Sequence, residues 1–228
     1  MVGFGLLFFA AYVYLGPDLL YAIDKLFPSQ SAAGAPAAQA NAGRFPFPRG
    51  TGQPGVRLVI PRMHLDVPIK EATWTTSNQQ GNLYTDWNIP YDAVGHLVNT
   101  AQPGEAGNMV ISGHNNLVAP NVFGVGLFAG LWDLKKGDPF YVVDKAGRAF
   151  EYRVTTSYAL KEEGEPQSVR TQHAQEVLKD TGQPAATLLT CWNGPVAPLS
   201  GNTYRWIVKA DLVGPVDASQ LAGGTPTP

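Results

Sequence analysis

The chain carries the stretch Ala-Ala-Thr-Leu-Leu-Thr-Cys at residues 185–191, followed by Trp-Asn-Gly-Pro at residues 192–195. Cys191 is the only cysteine, so it cannot form an intramolecular disulfide. A free cysteine in an apolar strand is by default a small buried hydrophobe. Here the strand pattern ends at Cys191 and a turn follows, which predicts a thiol at the rim of a sheet, within reach of a substrate. Cys191 is therefore either an inert core residue or a nucleophile.

Around this stretch, short apolar and β-branched runs alternate with turn residues. The chain has 25 Gly and 19 Pro among 228 residues, a composition typical of an all-β fold with many turns. Strict alternation in residues 150–154 and 206–210 marks two half-buried strands. The pattern predicts a closed or nearly closed antiparallel barrel with short helices in its connections. The predicted strands are 56–60, 67–71, 108–112, 140–144, 149–160, 185–191 and 204–212, and the predicted helices are 122–134 and 171–179.

Composition also divides the chain into segments. Residues 1–15 are almost wholly apolar. As a helix they span only about 22 Å, less than the roughly 30 Å of a hydrocarbon core, so a membrane helix must continue to about residue 23. A cleaved signal peptide and a buried soluble helix are the alternatives. We predict a membrane anchor with a juxtamembrane helix at 1–27, an Ala/Pro/Gly-rich linker at 28–55, the barrel at 56–214 and a polar tail at 215–228.

A nucleophilic thiol needs a basic or cationic neighbour, because an ordinary cysteine is mostly protonated at neutral pH. His114 is the first candidate, since it follows a predicted strand and a glycine and so lies near the rim of the sheet. His96 also follows a glycine and is the second candidate. We expect His64, at a junction between strands, to have a surface or packing role. His173, in the polar start of a predicted helix, is expected to be solvated.

Three further residues are candidates for supporting roles. Arg205 begins the strand that follows Cys191, and an antiparallel return would bring the two side chains together. A guanidinium in that position stabilises a tetrahedral oxyanion or holds a substrate carbonyl. Thr190 is a weaker candidate for binding substrate near the oxyanion. Glu105 lies in the loop before the strand of His114 and is a candidate to orient that histidine.

Several stretches together resemble the sortase family. Residues 187–191 fit its Thr-Leu-x-Thr-Cys signature at every fixed position. Residues 59–69 are similar to its opening strand pair, 103–114 to the loop and strand that carry its histidine, and 134–138 to the turn before a later strand. The resemblance runs from residue 56 to residue 213.

The resemblance implies a sortase-type barrel of eight strands and a cysteine transpeptidase activity. By residue match, Cys191 is the nucleophile, His114 the general acid and Arg205 the oxyanion or substrate-holding group. The implied substrates are proteins that carry a Leu-Pro-x-Thr-Gly-like sorting signal, and the implied acceptor is an amine of a peptidoglycan precursor or a pilin lysine. A single-pass anchor, with the N-terminus inside the cell and the barrel outside, is implied as well.

Two departures leave the branch of the family open. Residues 113–116 read Gly-His-Asn-Asn, where several branches have Gly-His-Arg. The pilus-building branch usually carries an inhibitory Asp-Pro-aromatic tripeptide before the barrel, and residues 28–55 contain none. The missing tripeptide weakens the assignment to a pilus polymerase, and the residues after His114 leave the branch undetermined.

Composition argues against other functions and against most cofactors. The formal net charge is −2, from 16 Lys plus Arg and 18 Asp plus Glu, so the chain has no basic excess for binding nucleic acid. No His-x-x-His or Cys-x-x-Cys spacing occurs, so we expect no transition metal and no cofactor. Calcium remains open, with Glu162, Glu163 and Glu165 as its candidate ligands.

Two alternatives come from other classes of protein. The pair Cys191-Trp192 suggests a papain-like peptidase, but that family places its cysteine at the start of a helix and its histidine later in the chain. A non-catalytic barrel that binds a cell-surface partner through the same groove is the second alternative.

Overall fold

A closed barrel of eight strands forms the centre of the computed structural model, which describes residues 12–15, 50–79, 82–119, 122–195 and 203–221. The strands are β1 (Tyr12–Leu15), β2 (Gly55–Ile60), β3 (Leu65–Ala72), β4 (Trp74–Gln79), β5 (Asn82–Trp87), β6 (Val94–Leu97), β7 (Gly107–Ser112), β8 (Asn116–Ala119), β9 (Val122–Val125), β10 (Pro139–Asp144), β11 (Ala149–Lys161), β12 (Pro184–Trp192) and β13 (Tyr204–Val216). The described helical elements are α1 (Gln167–Leu178) and three 3-10 turns at Pro61–Met63, Leu131–Asp133 and Ala218–Leu221.

The barrel closes in the order β10-β11-β13-β12-β7-β6-β3-β2, and β2 pairs back with β10. Two neighbouring pairs, β7–β12 and β3–β6, are parallel, and the other neighbours are antiparallel. The predicted closed barrel is therefore confirmed, and its antiparallel character is corrected at these two pairs. Parallel neighbours require a long crossover. Between β3 and β6 that crossover contains the β4–β5 hairpin, which the sequence did not predict.

The core of the barrel consists of side chains from alternate strand positions. Phe150, Tyr152 and Val154 are each at most 2% exposed, as the alternation in β11 predicts. The rings of Tyr152 and Phe140 stack with their centroids 5.4 Å apart. The hydroxyl of Tyr152 is not left unpaired, because it accepts the backbone N–H of Gly104 at 3.0 Å.

The helix predicted at residues 122–134 is wrong. Its first four residues form β9, which pairs with β8, and a 3-10 turn lies near its end. The helical pattern came from Phe123, Leu127, Phe128 and Leu131, of which Phe128 and Leu131 are fully buried. Gly130 explains why no α-helix forms there, since its φ of 93° lies in the left-handed region.

The second predicted helix, at residues 171–179, is confirmed. It is longer than predicted, because α1 begins at Gln167, directly after Pro166. Proline at this point is compatible with a helix start, since its missing N–H removes no helical hydrogen bond. Only Val177 is buried among the α1 residues, so one narrow side of the helix faces the barrel.

Most of the predicted N-terminal segments lie outside the described residues. Within the predicted anchor, the structure describes only Tyr12–Leu15, as a strand that pairs with β5. The linker before residue 50 and the tail after residue 221 also lie outside. Of the predicted tail, Ala218–Leu221 form a 3-10 turn, and the carbonyl of Leu221 accepts a hydrogen bond from Arg57 Nη2 at 3.4 Å. None of the helices in the described part has the length and apolarity of a membrane span.

One buried carboxylate holds the turn between β10 and β11. Asp144 is 1% exposed. Its Oδ1 accepts the backbone N–H groups of Ala146 and Arg148, each at 2.9 Å. Its Oδ2 accepts Nε of Arg148 at 2.7 Å. This carboxylate therefore satisfies the turn backbone and a partly buried guanidinium together.

We expect Asp144→Ala to lower the free energy of unfolding by about 2–4 kcal/mol, because it leaves buried donors without an acceptor. The matched control is Asp66→Ala. Asp66 is 45% exposed and pairs with Arg57, so its loss should cost less than about 1 kcal/mol. Urea denaturation of both variants measures the difference. Equal losses in the two variants would contradict the prediction.

Candidate active site

Cys191 lies near the end of β12 and is paired in register with Arg205 at the start of β13. Directly opposed residues of an antiparallel pair project from the same face of the sheet, with Cβ atoms about 4.5–5.5 Å apart. The side chain of Cys191 is half-buried, so the thiol is not enclosed in the core. The register therefore sets Cys191 next to Arg205, as the sequence predicts.

His114 lies at the matching position on the other side of Cys191. Strands β7 and β12 are parallel, and Ser112 pairs with Leu189. Cys191 and His114 each follow this pair by two residues along the chain. The backbone N–H of Gly113 continues the pairing by donating to the carbonyl of Leu189 at 3.2 Å. Cys191 and Arg205 thus stand side by side on neighbouring strands at one end of the barrel, and His114 lies beside them, two residues after the end of β7.

The backbone at His114 is held by close packing against the chain after β9. The carbonyl of His114 accepts the N–H of Phe128 at 2.9 Å. A Cβ on Gly126 would lie 2.1 Å from the same carbonyl oxygen, and a Cβ on Gly113 would lie 2.7 Å from the Phe128 ring. Both contacts are possible only without a side chain on these glycines. They fix the point at which His114 leaves the barrel.

The imidazole of His114 contacts the loop between β5 and β6. Its Nε2 lies 3.2 Å from the carbonyl oxygen of Ile89, which can only accept a hydrogen bond. Its ring stacks on Tyr91 with the centroids 4.9 Å apart and the planes 13° from parallel. Burial lowers the pKa of His114 from its usual value, and the hydrogen bond to Ile89 acts in the opposite direction.

These groups line one open cleft of about 390 Å³. The titratable side chains among its lining residues are those of Tyr91, His114, Cys191 and Arg205, and no described carboxylate is part of the lining. The other lining residues are Trp87, Asn88, Ile89, Pro90, Ser112, Gly113, Asn115, Asn116, Leu189 and Thr190. The cleft therefore brings together the three residues to which the sequence assigns catalysis.

Thr190 borders the cleft, but its side chain is engaged elsewhere. It is 2% exposed, and its hydroxyl donates to the carbonyl of Gly113 at 2.8 Å. This bond ties β12 to the residue before His114. A role of Thr190 in substrate binding stays a prediction, and the hydrogen bond gives Thr190 a positioning role that the sequence did not suggest.

A small apolar pocket of about 70 Å³ adjoins the cleft and shares Trp87, Ser112, Leu189 and Arg205 with it. Its remaining lining residues are Leu97, Leu160, Glu162, Arg170, His173, Ala174, Val177, Leu178 and Ile207. Helix α1 covers one side of this pocket. The pocket is therefore a second, mostly apolar recess next to the thiol.

His173 is not solvated as predicted. Its side chain is 19% exposed, and its Nδ1 lies 2.9 Å from Oε1 of Glu162. The second carboxylate oxygen of Glu162 lies 3.4 Å from Nε of Arg170. The three groups connect α1 to the end of β11. The sequence missed this because the partners come from separate elements.

The proposed orienting role of Glu105 is wrong. Glu105 is 3% exposed and accepts the backbone N–H groups of Gly52 and Gln102, at 2.6 and 2.8 Å. The carboxylate therefore fixes the segment before β2 to the loop before β7. Both carboxylate oxygens of Glu105 accept backbone N–H groups, whereas Nε2 of His114 lies against the carbonyl oxygen of Ile89.

The remaining histidines lie away from the cleft. His64 is exposed at the turn between β2 and β3, with a left-handed φ of 49°. His96 is 7% exposed, and its Nε2 lies 3.0 Å from the carbonyl oxygen of Ala101 and 2.9 Å from Oγ1 of Thr100. His96 is therefore a satisfied core residue, and the second candidate for the catalytic histidine is wrong.

The glutamates considered for calcium have separate partners. Glu162 contacts Arg170 and His173 as described above, Glu163 accepts the hydroxyl of Thr203 at 2.7 Å, and Glu165 pairs with Lys161 at 3.0 Å. Within the described ranges, no group of three or more His, Cys, Asp or Glu side chains is arranged to hold a metal ion.

The loop that contacts His114 is the part of the site that the sequence analysis missed. It reads Trp-Asn-Ile-Pro-Tyr at residues 87–91. The usable sequence signal for this loop is an aromatic residue directly after a proline. Tyr91 is 45% exposed, so it does not fill a position in the core. No spacing in the sequence links this loop to His114.

Comparison with known proteins identifies the family of the chain. The family model described as Sortase domain matches residues 58–213. The chain belongs to the sortase family, whose members are cysteine transpeptidases that act outside the cytoplasm and are typically associated with the membrane. No curated protein matches the chain. The papain-like alternative is wrong, because Cys191 lies on a barrel strand and not at the start of a helix.

Solved structures of sortases share the fold. The SrtA sortase from Actinomyces oris is similar with a TM-score of 0.51 and 26% identity, over 79% of this chain and 90% of that one. Sortase A from Listeria monocytogenes is similar with a TM-score of 0.51 and 17% identity, over 77% and 99% of the two chains. Sortase C1 from Streptococcus suis is similar with a TM-score of 0.50 and 22% identity, over 89% and 98%.

His96 should make the protein sensitive to acid. Burial lowers the pKa of His96 to about 4. In the unfolded chain a histidine binds a proton near pH 6.5. The contribution of His96 to the free energy of unfolding is therefore fully present above that pH and is lost as the pH falls toward 4. We expect His96 to account for about 2 kcal/mol of the loss in unfolding free energy between pH 7 and pH 5.

Urea unfolding at the two pH values tests this on His96→Asn, which should lose about 2 kcal/mol less than the wild type. The control is His64→Asn, which removes an exposed histidine and should keep the wild-type loss. An unchanged pH dependence in His96→Asn would refute the assignment.

Proposed function

We propose that this chain is an extracytoplasmic sortase that cleaves a Leu-Pro-x-Thr-Gly-like sorting signal through a thioacyl intermediate on Cys191. The observation that carries the proposal is the pairing of Cys191 with Arg205 on adjacent strands, with His114 two residues beyond the neighbouring strand β7, in one open cleft. In this arrangement a nucleophile, a proton donor and a fixed positive charge face the same space. That combination is the one acyl transfer requires.

The first half-reaction is proposed to start at the thiolate of Cys191. Its sulfur attacks the carbonyl carbon of the threonine residue in the signal and forms a C–S bond. The C–N bond to the following glycine then breaks, and the amine leaves with a proton from the imidazolium of His114. The product is a thioester on the enzyme, and the released peptide takes the glycine.

The second half-reaction reverses the proton transfer. An amine attacks the thioester and forms a new amide, while His114 accepts its proton and the thiolate of Cys191 is released. The position of His114 beside Cys191, and not within the core, supports a role for the same imidazole in both directions. We propose a peptidoglycan precursor or a pilin lysine as the source of the amine.

Arg205 is proposed to stabilise the charge that develops on the carbonyl oxygen. Its guanidinium is always charged and presents several donors in one plane. The in-register pairing supports this role, because it sets Arg205 directly across from Cys191, the proposed nucleophile. The neighbouring apolar pocket is proposed to receive an apolar side chain of the signal upstream of the scissile bond.

The remaining features of the proposal concern the surroundings of the barrel. We propose a single-pass membrane anchor within residues 1–27, on the basis of the apolar run at residues 1–15 and the habit of the family. We also propose that the reaction needs no cofactor, because each step above uses a side chain of the protein.

A non-catalytic barrel that binds a cell-surface partner remains the alternative function. The open cleft supports it equally, because a groove can bind a peptide without chemistry. The two functions differ in what Cys191 does, since a binding module forms no covalent intermediate and tolerates Cys191→Ala.

The full-length chain, kept in detergent, should form an acyl adduct on Cys191 when mixed with a panel of Leu-x-x-Thr-Gly peptides. Intact-protein mass spectrometry measures the adduct, and addition of a simple amine should give the joined product. Cys191→Ala should form neither. A folded wild-type chain that forms no adduct with any peptide, but still binds one, would favour the binding module.

We expect Arg205→Lys to lower kcat by about 100-fold with a smaller change in KM, because a lysine keeps the charge but loses the fork of donors. Arg153→Lys is the matched control, since Arg153 is 55% exposed and pairs with Glu151 outside the cleft. Steady-state assays with the preferred peptide compare the two variants. Wild-type kcat in Arg205→Lys would remove Arg205 from the mechanism.

A further inference from the structure

Tyr91 is a large side chain in an exposed position that packing does not explain. It is 45% exposed, one of the few large hydrophobic residues of the described chain with such exposure. Its ring contact is the stack on His114, at 4.9 Å and 13°. The ring of Tyr91 is therefore exposed to water in part and lies against the imidazole of His114 on one face.

The loop that carries Tyr91 is held by a backbone hydrogen bond at its start and contacts β3 through an exposed ion pair near its end. The N–H of Asn88 donates to the carbonyl of Thr73 at 2.8 Å. At the other end, Asp92 pairs with Lys70 of β3 at 2.6 Å. The firm attachment is therefore the one before Tyr91, to Thr73 directly after β3, because an exposed ion pair such as Lys70–Asp92 contributes little.

The middle of the loop lies directly on β6. Gly95 permits this contact, because a Cβ there would lie 3.2 Å from Cδ1 of Ile89 and 3.3 Å from Cδ of Pro90. The side chain of Ile89 also packs against a buried cluster that includes Ala72 and Leu97. The carbonyl of Ile89 is thereby held still, at 3.2 Å from Nε2 of His114.

From these contacts we propose that Tyr91 is a positioning residue for His114, and that its ring and the Ile89 carbonyl together hold the imidazole and favour its charged form. A cation above an aromatic face within about 6 Å is stabilised by the ring quadrupole. A carbonyl oxygen accepts the Nε2 proton in the neutral and in the charged imidazole, and binds the charged one more strongly. The proposal rests on the proposed role of His114.

The surroundings of His114 make such support necessary. Burial lowers its pKa and so disfavours the imidazolium that must protonate the leaving amine. The other titratable groups facing the cleft are Tyr91, Cys191 and Arg205, and no carboxylate of the described residues lines it. Arg205 disfavours a second positive charge, and a thiolate on Cys191 favours it. Tyr91 is the neutral group in contact with the ring face.

The test compares Tyr91→Phe with Tyr91→Leu in the full-length chain. Phenylalanine keeps the stacked face, so its kcat/KM should stay within about twofold of the wild type. Leucine removes the face, so we expect kcat/KM to fall about tenfold, mainly through kcat. The pKa of His114, followed by NMR of the imidazole protons, should fall by about 0.5 in Tyr91→Leu and stay unchanged in Tyr91→Phe. Tyr141→Leu is the matched control, because Tyr141 lies on β10 outside the cleft.

The outcomes separate this proposal from the function on which it rests. An unchanged titration of His114 and unchanged kcat in folded Tyr91→Leu would overturn the positioning role, while a Cys191 adduct would still stand. Equal losses in the Phe and Leu variants would overturn it as well, because the stacked face would then be irrelevant. If Tyr91→Leu shifts the titration of His114 but the wild-type chain forms no adduct, the positioning role of Tyr91 is supported and the transpeptidase activity is refuted.

Discussion

The register between β12 and β13 is the constraint on which the site depends. Antiparallel pairing sets Cys191 opposite Arg205, and the parallel pairing of β12 with β7 sets His114 beside them. A slip of one residue would turn the thiol toward the barrel interior, because side chains alternate between the two faces of a strand. Buried partners such as Leu188 and Val208, both fully buried, oppose such a slip. The packed core thus fixes the positions of Cys191 and Arg205 at the rim of the barrel.

The site combines a rigid row of strand residues with one contributed loop. The strands place the thiol and the guanidinium, while the loop at residues 87–91 meets the imidazole from the side. Burial and hydrogen bonding act on His114 in opposite directions. The protonation of His114 therefore depends on a balance of weak contacts. The proximity of Cys191 to Arg205 depends instead on the pairing of β12 with β13.

The sequence predicted what repeats or matches a pattern, and missed what depends on distant partners. Alternation at residues 150–154 revealed a core strand, and the short signature at 187–191 led to the thiol. The helix predicted at 122–134 is wrong because residues 122–125 form a strand and Gly130 has a left-handed φ, while Phe128 and Leu131 still fill the core. The stack of Tyr91 on His114 could not be predicted, because the crossover between β3 and β6 determines it.

The parallel pairing of β7 with β12 lets the surroundings of the cleft vary while the barrel stays the same. Parallel neighbours end at the same edge of the sheet, so the segments after both strands leave the barrel together. Insertions or deletions beyond His114 and Trp192 in those segments alter the walls of the cleft and leave the register that pairs Cys191 with Arg205 unchanged. The shape of the cleft can therefore change in this fold through loop length alone, while the barrel strands keep the same register.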